Sequence, residues 1–387
     1  MAIASGPAAL LKNTDCLFLG GEWAEPSTRN KIRVSDSTTE EIFLEVAEAQ
    51  ADDMSRAVGA ARAAFDHGPW PRMKHAERAV YLRAIAEYLL TRGEDIGQIW
   101  PRETGALQSV ARAAGQDGFD IFTYYADQAD TFGWVKPMTP TFGGGAGFLI
   151  REPVGVVGAI IPWNSPMRLI GYKVAPALIA GCTVVLKASP PEAPAEAYIF
   201  AEAVEAAGLP PGVVNVITAD REVSELLVRD PRVDKITFTG STAAGRTIGS
   251  ICGERVARCT LELGGGKSAA VILNDVDIAK TATHLMRQEC LLTGQSCSSL
   301  TRVIVPVKRH DEMLEALAAE FRGGACRRPV RAGFPDRAAG VGAPARSGRV
   351  LHRQGHRVRR HLGGRRQAAR SSAAGGLLHR TDGFWQR

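Results

Sequence analysis

Between residues 152 and 249 short apolar runs alternate with helical segments, and this alternation constrains the fold more than any other feature of the sequence. The apolar runs are rich in β-branched residues: "EPVGVVGAII" (152–161), "CTVVLKA" (182–188), "GVVNVI" (212–217) and "DKITFTG" (234–240). Helices are predicted at 167–180, 193–207 and 221–228, and another opens at Ser241. Buried strands separated by helices at this spacing indicate an α/β fold with a parallel sheet covered on both faces. Such sheets bind ligands at the carboxyl ends of their strands.

Length and composition place the chain among intracellular globular proteins. Its 387 residues, 45% of them hydrophobic, are enough for two domains with ordinary cores. The seven cysteines are scattered, with no CxxC pair and no spacing typical of a zinc site or a disulfide framework. No basic N-terminal region precedes an apolar segment, and no apolar run approaches the roughly 20 residues needed to cross a bilayer. We therefore expect a soluble, cytoplasmic protein with no metal site and no membrane partner.

The positive charge of the sequence is confined to its end. Residues 322–387 contain 16 arginines, no lysine and two acids, so this segment carries a charge of about +14. Because the whole chain has a net charge of +6, the residues before this segment are acidic overall. Its few large apolar residues and twelve glycines are typical of disorder. An arginine-only tail rich in Ala and Gly is what a GC-rich gene encodes in the wrong reading frame, which predicts an aberrant basic tail over 325–387. A genuine basic arm is the alternative, but we expect no nucleic-acid partner.

A predicted strand runs directly into a predicted helix in "DKITFTGSTAAGRTIG" (234–249). Gly240 turns the chain, and Ser241 is suited to cap the helix, whose first amides would then face an anion such as a pyrophosphate. A plain strand-to-helix turn is the alternative interpretation.

A carboxylate follows in "CTLELGGGKSAAVIL" (259–273), where Glu262 lies in a β-rich apolar run just before three glycines. A carboxylate on a buried strand is costly unless it is paired or has a chemical task, and burial suits it to act as a general base near neutral pH. A salt-bridged glutamate at a strand end is the alternative.

Two turns place other reactive groups. In "LLTGQSCSSL" (291–300), Cys297 lies among Gly, Gln and Ser, a setting that suits a partly exposed nucleophilic thiol. In "GAIIPWNSPM" (158–167), prolines on both sides of Asn164 fix the backbone, so its amide is a suitable oxyanion donor. The alternatives are an inert cysteine, as expected for Cys290 in the preceding helical pattern, and an asparagine in an ordinary proline turn.

Taken together, six motifs in one order resemble the aldehyde dehydrogenase superfamily over roughly residues 15–320. They are "PWN" (162–164), Lys173, "VVLKAS" (184–189), "FTGS" (238–241), "LELGG" (261–265) and "GQSC" (294–297). The resemblance implies an aldehyde dehydrogenase-like fold and oxidation of an aldehyde to a carboxylic acid with NAD or NADP, through a cysteine thiohemiacetal and a thioester.

The resemblance also implies roles for individual residues. Cys297 would attack the aldehyde carbon, and the side-chain amide of Asn164 with the backbone N–H of Cys297 would hold the oxyanion. Glu262 would activate the hydrolytic water, with Lys173 in the associated proton path. The cofactor-binding residues implied in this way are Ile160, Pro162, Trp163, Lys187, Ser189, Gly240, Ser241 and Leu263.

Three departures from the family pattern qualify these expectations. Many NAD-preferring members carry a glutamate three residues after the ribose lysine, where this chain has Pro190, followed by Glu192. The loop "ELGGGKS" has one glycine more than the commoner "ELGGKS". The family's "EIFGP"-like stretch and its later C-terminal segment are not found in this sequence, so a catalytically inactive, truncated remnant is the alternative function.

The resemblance sets the expected domains. We predict a dinucleotide-binding domain over 1–263, an incomplete α/β catalytic domain over 264–324 and, within the first, an oligomerisation hairpin over 130–153. The stretch "FLGGEWAEP" (18–26) resembles the family's opening strand pair. The expected partners are a small aldehyde and, as in the full-length family, further copies of the chain in a homo-oligomer.

Overall fold

Strands and helices follow one another along the part of the chain that the computed structural model describes, residues 10–323. The predicted basic tail at 325–387 lies outside the described residues. The strands are β1 (Leu17–Leu19), β2 (Glu22–Ala24), β3 (Lys31–Ser35), β4 (Ile42–Ala47), β5 (Val135–Met138), β6 (Gly147–Ile150), β7 (Val156–Ile160), β8 (Thr183–Lys187), β9 (Val214–Ile217), β10 (Lys235–Gly240), β11 (Arg258–Leu263), β12 (Ala269–Val271) and β13 (Arg302–Ile304). The α-helices are α1 (Ala51–Asp66), α2 (His75–Thr91), α3 (Gly93–Thr104), α4 (Gln108–Arg112), α5 (Ala114–Thr131), α6 (Pro166–Ala180), α7 (Ala195–Ala207), α8 (Arg221–Arg229), α9 (Thr242–Glu254), α10 (Ile278–Cys290) and α11 (His310–Gly323).

These elements divide into two units. The first contains residues 10–36, 40–104 and 111–264, and the second contains 265–323 with the short segments Ser37–Thr39 and Gly105–Val110. Each unit is described by itself below.

The first unit is built on a seven-stranded sheet with the order β11-β10-β7-β8-β9-β1-β2. The five strands from β11 to β9 are parallel, and β1 joins β9 in the antiparallel direction. All residues of β7 and β9 are buried, as expected for β-branched strands with helices on both faces. The α/β fold predicted from the alternating pattern is therefore confirmed.

Helix ends in this unit follow local sequence chemistry. Helix α7 ends at Gly208, which adopts a left-handed conformation with φ of +67° and accounts for the stop signal in the sequence. Helix α1 covers the sheet with small residues, and the carbonyl of Ala61 accepts a hydrogen bond of 2.9 Å from the Thr183 hydroxyl at the start of β8.

Two strand pairs predicted from the sequence also form. Strands β1 and β2 are antiparallel, with Phe18 opposite Trp23, where the opening strand pair was expected. Strands β5 and β6 form an antiparallel hairpin within the predicted segment 130–153. Several apolar side chains of this hairpin are exposed, including Phe142 and Phe148. Its role in oligomerisation stays a prediction.

The second unit has a small core of its own. Strands β12 and β13 are parallel, with Ala270 opposite Val303, and helices α10 and α11 pack against each other. Its buried side chains include Ile272, Leu285 and Met313. Among residues 10–323, no helix is both long enough and apolar enough to cross a membrane.

Candidate functional site

Four of the predicted cofactor-binding residues are the last residues of neighbouring parallel strands. Ile160, Lys187, Gly240 and Leu263 end β7, β8, β10 and β11. Ile160 lies opposite Lys187 on one side and opposite Phe238 on the other, while Gly240 lies opposite Leu263. The sheet therefore brings all four residues to one edge, where parallel sheets bind ligands.

The strand order reverses at this edge between β7 and β10. From β7 the chain proceeds through α6 to β8 on one side, whereas β10 lies on the other side and leads through α9 to β11. Reversal points of this kind open the crevice in which doubly wound sheets hold nucleotides. Gly240 borders this point, and a Cβ added there would lie only 2.4 Å from the Phe238 ring. The Phe238 ring therefore occupies the space beside Gly240.

Ser241 caps helix α9, as the sequence predicts. Its hydroxyl oxygen accepts a hydrogen bond of 3.2 Å from the Ala244 N–H. The Thr242 hydroxyl donates to the Gly264 carbonyl at 2.9 Å, and the Gly264 N–H donates to the Gly240 carbonyl at 2.9 Å. The first turn of α9 contains no acidic residue, so its amides and dipole favour an anionic ligand.

Lys187 and Ser189 lie where strand β8 leaves the sheet. Lys187 is half-buried, and burial lowers its pKa to about 8, although the negative charges of Glu192 and Asp220 oppose this shift. The Ser189 carbonyl accepts a hydrogen bond of 3.0 Å from the Ala193 N–H and closes a turn that contains Pro190. The turn thus presents a lysine and a hydroxyl at the sheet edge, with the Glu192 carboxylate close enough to interact with Lys187.

Pro162, Trp163 and Asn164 form the turn from β7 to α6, and all three are half-buried. Helix α6 then begins at Pro166, a favourable first helical residue. The Met167 N–H in its first turn donates to Oε2 of Glu196 at 2.6 Å. The buried carboxyl group of Glu196 therefore anchors the helix that follows Asn164.

Glu196 and its neighbour Glu103 were not anticipated from the sequence. Oε1 of Glu103 accepts a hydrogen bond of 3.0 Å from the Ala195 N–H at the start of α7, as Glu196 does for α6. Burial raises the pKa of Glu196 to about 8 and raises that of Glu103 well above its usual value. The only sequence signal for Glu196 was its place in "AEAYIFAEAV", where two glutamates, Glu196 and Glu202, interrupt an apolar, alanine-rich run that matches the fully buried start of α7.

The side chain of Lys173 extends from α6 to Thr237 of strand β10. It is buried, and its ammonium donates a hydrogen bond of 3.2 Å to the Thr237 hydroxyl. Burial lowers the pKa of Lys173 to about 8; the negative charge of Glu262 opposes this shift, and the positive charge of Lys235 adds to it. The structure thus brings Lys173 within electrostatic reach of Glu262, two residues that the resemblance places in one proton path.

The expectation that Glu262 lies on a buried strand is wrong. Strand β11 is the edge strand of the seven-stranded sheet in the part of the chain described, and Glu262 is exposed. Its neighbour in the sheet is Thr239 of β10. The pattern "CTLEL" specifies a strand correctly but carries no information on which edge of the sheet that strand occupies.

Cys297 belongs to the second unit, in a loop after α10, and its thiol is exposed. The loop turns through Thr293 and Gly294, both with positive φ, and the Gln295 N–H donates to the Leu292 carbonyl at 2.9 Å. Cys290, expected in the preceding helix, is the last residue of α10.

Residues on both sides of Cys297 are held by hydrogen bonds within the second unit. The carbonyl of Ser296 accepts bonds from the Lys267 ammonium at 2.5 Å and from the Ser299 hydroxyl at 3.0 Å. The Ser268 N–H donates to the Ser299 carbonyl at 3.0 Å. The loop therefore fixes its backbone while leaving the thiol accessible, as a nucleophile requires. Between residues 10 and 323 no group of three or more His, Cys, Asp or Glu side chains is arranged to hold a metal ion.

Known proteins resemble this chain over most of its length. The sequence model of the aldehyde dehydrogenase family matches residues 23–336. Geranial dehydrogenase from Castellaniella defragrans is 40% identical over 304 residues, which cover 78% of this chain and 63% of that protein. The chloroplastic betaine aldehyde dehydrogenase of Amaranthus hypochondriacus is 38% identical over 315 residues, covering 79% of this chain and 60% of that protein.

Solved structures agree with the fold. An aldehyde dehydrogenase of Mycobacterium tuberculosis, crystallised with NAD+, superposes with a TM-score of 0.83 and 37% identity, over 89% of this chain and 71% of that chain. The chain spans 63% and 60% of the lengths of the two curated relatives. Since the family model matches well over half of its residues, this chain belongs to the aldehyde dehydrogenase family.

Proposed function

We propose that this chain carries out the NAD(P)+-dependent oxidation of an aldehyde to a carboxylic acid. The observation that carries the proposal is the alignment of Ile160, Lys187, Gly240 and Leu263 at the ends of four neighbouring parallel strands. This edge has the composition that a dinucleotide needs, with a lysine, a side-chain-free position and a capped helix N-terminus.

The residues at the sheet edge fit a nicotinamide dinucleotide. Lys187 and Ser189 would bind the adenine ribose, and Ser241 with the first amides of α9 would bind the pyrophosphate. The first turn of α9 supports this fit, because it contains no acidic residue and follows the N-cap Ser241. Ile160, Pro162, Trp163 and Leu263 would line the remainder of the cleft. When bound, the cofactor would supply the acceptor for the hydride of the aldehyde.

Cys297 is the proposed nucleophile. Its thiolate would attack the aldehyde carbon, forming the C–S bond of a thiohemiacetal while the carbonyl oxygen becomes an oxyanion. The side-chain amide of Asn164 and the backbone N–H of Cys297 would donate hydrogen bonds to that oxygen. Loss of hydride from the carbon leaves a thioester on the cysteine.

Glu262 is the proposed general base for hydrolysis of the thioester. Its carboxylate would take a proton from the attacking water, whose oxygen displaces the cysteine sulfur and releases the carboxylic acid. Lys173 would carry the proton onward, a role that its electrostatic interaction with Glu262 and its pKa of about 8 support.

The test is turnover of an aldehyde panel with NAD+ and NADP+, with geranial and betaine aldehyde included because relatives are named for them. Cys297→Ala is expected to abolish NAD(P)H formation, whereas Cys290→Ala, which changes a cysteine at the end of α10, is expected to retain most of it. Glu262→Gln is expected to slow thioester hydrolysis more than thioester formation, which pre-steady-state measurement of the NADH burst separates.

Two outcomes would contradict the proposal. Turnover that persists in Cys297→Ala would remove the nucleophile assignment. Cofactor binding by a folded chain without turnover of any aldehyde would support the alternative of a catalytically inactive protein.

A further inference from the structure

Glycines on one face of helix α9 let it lie close to strand β11. A Cβ added at Gly245 would lie 2.3 Å from Cδ2 of Leu263, and one added at Gly249 would lie 3.6 Å from Cδ1 of Leu261. The two contacts define a register in which one turn forward along α9 corresponds to two residues back along β11. Cys252 lies three residues beyond Gly249 on the same face of α9, and Cys259 lies two residues before Leu261 on the same side of β11.

The chain between the two cysteines turns back sharply and supports this register. The Ala257 N–H donates a hydrogen bond of 2.8 Å to the Cys252 carbonyl, and Val256 adopts a left-handed conformation with φ of +54°. The strand therefore starts immediately beside the end of the helix.

The two thiols interact but differ in exposure. Cys252 is buried at 1% exposure, whereas Cys259 is exposed. Burial raises the pKa of Cys252, and the charge of Cys259 and contact with its thiol raise it further. An accessible thiol with a protected partner beside it is the arrangement of a sensor cysteine and its resolving cysteine.

We propose that Cys252 and Cys259 form a peroxide-sensitive thiol pair that closes to a disulfide between α9 and β11. The Cys259 thiolate attacks one oxygen of a hydroperoxide, so the O–O bond breaks and a sulfenic acid and an alcohol or water are formed. The Cys252 sulfur then attacks the sulfenic sulfur, the S–S bond forms and water leaves. The peroxide is reduced by two electrons and the two thiols are oxidised to the disulfide.

This modification is independent of the proposed aldehyde oxidation. Cys252 lies near the end of α9, eleven residues after Ser241, and Cys259 lies near the start of β11, three residues before Glu262. The bridge would join the elements that carry those two residues without replacing a group that the reaction uses.

Peptide mapping of the full chain tests the proposal directly. Trypsin cleaves after Arg246, Arg255, Arg258 and Lys267, so Cys252 and Cys259 fall in separate peptides, 247–255 and 259–267. The protein is treated briefly with hydrogen peroxide, and its free thiols are then alkylated. Most protein molecules are expected to yield these two peptides joined by a disulfide. Dithiothreitol is expected to separate them.

Matched variants distinguish this pair from general oxidation. Cys252→Ser is expected to leave Cys259 as a sulfenic acid that dimedone traps, and Cys259→Ser to leave Cys252 reduced. Cys297→Ser, which removes another exposed thiol, is expected to leave the linked peptide unchanged. The proposal is overturned if wild-type chain shows only irreversible oxidation of Cys259, or if Cys259 pairs instead with Cys297 or with a second chain.

Discussion

The Lys267 ammonium donates a hydrogen bond of 2.5 Å to the Ser296 carbonyl, one residue before the proposed nucleophile Cys297. Lys267 itself follows the glycine-rich loop, and the Arg302 guanidinium donates to the carbonyls of Gly266 and Lys267 at 3.0 and 2.6 Å. Lys267 thus ties the glycine-rich loop to the cysteine loop, and Arg302 ties the same glycine-rich loop to the start of β13.

Loss of the Lys267 contact is expected to loosen the cysteine loop. A hydrogen bond to a charged group contributes roughly 1.5–3 kcal/mol, so Lys267→Met should speed amide exchange over residues 294–300 by about tenfold or more. Hydrogen exchange followed by mass spectrometry measures this without requiring turnover. Lys308→Met, which removes an exposed lysine of the same unit, is the control, and equal exchange in the two variants would show that Lys267 does not hold the loop.

Replacement of Lys173 by Met is expected to stabilise the fold at neutral pH. Because burial lowers the pKa of Lys173 from 10.5 to about 8, the unfolded chain binds more protons than the folded chain between these values. The free energy of unfolding of the wild type should therefore rise as pH increases through this window, and this contribution should be absent in the variant. At pH 7 the variant should be more stable by on the order of 2 kcal/mol.

Urea denaturation at pH 7 and pH 10 measures this effect. Lys235→Met is the matched variant, because removing the neighbouring positive charge should raise the pKa of Lys173 and reduce the pH dependence without abolishing it. A Lys173→Met chain that is less stable than wild type at pH 7 would show that the bond to Thr237 outweighs the cost of the buried charge.

Glu196 is expected to make the fold less stable as pH rises, which is opposite to the effect of Lys173, and Glu196→Gln should weaken this pH dependence. Burial raises the pKa of Glu196 from 4.5 to about 8, so the folded chain keeps a proton that the unfolded chain loses. Stability of the wild type should therefore fall as pH rises between these values, and the fall should be smaller in the variant. At pH 8 the variant should be more stable by on the order of 2 kcal/mol, since the amide oxygen still accepts the Met167 N–H.

Thermal or urea denaturation between pH 5 and pH 8 tests this prediction. Glu222→Gln, at an exposed position in α8, should leave the pH dependence unchanged. Glu196→Ala should be destabilised throughout this range because it leaves the Met167 N–H without its acceptor. Parallel curves for wild type and Glu196→Gln would contradict the role of the buried carboxyl group.

Cofactor selectivity is expected to be weak. In the family pattern that this chain resembles, many NAD-preferring members carry at the position of Pro190 a carboxylate that accepts both ribose hydroxyls and repels a 2′-phosphate. We therefore expect NADP+ to bind within about tenfold of NAD+, or roughly 1.4 kcal/mol. Titration of both cofactors by protein fluorescence measures the ratio, and Pro190→Glu should shift it toward NAD+. A thousandfold preference of the wild type for NAD+ that Glu192→Gln removes would instead assign the carboxylate's role to Glu192.

Features set by neighbouring residues could be predicted from the sequence. The cap at Ser241 and the stop at Gly208 depend on groups within a few residues, and both form where they were expected. The alternating strands and helices could likewise be predicted, because the apolar residues that make each strand buried lie next to one another in the sequence. The strand ends at Ile160 and Gly240 follow from the same pattern.

Features that depend on residues far apart in the sequence could not be predicted from it. Glu103 reaches the amide of Ala195 across 92 residues, and no local pattern connects them. The exposure of Glu262 depends on the edge position of β11, which is decided by the pairing of all the strands together. Lys267 meets Ser296 only because β12 and β13 pair side by side.

The pairing of strand β1 with strand β9 has a consequence for the chain during its synthesis. All three residues of β1 are buried in the finished sheet, and the Gly20 N–H just beyond them donates 2.8 Å to Oδ1 of Asn215 across 195 residues. At ordinary rates of synthesis the ribosome needs roughly 10–40 s to cover that distance. For most of this interval the apolar segment Leu17–Leu19 is outside the ribosome without β9, so its place in the sheet is completed only after β9 has been made.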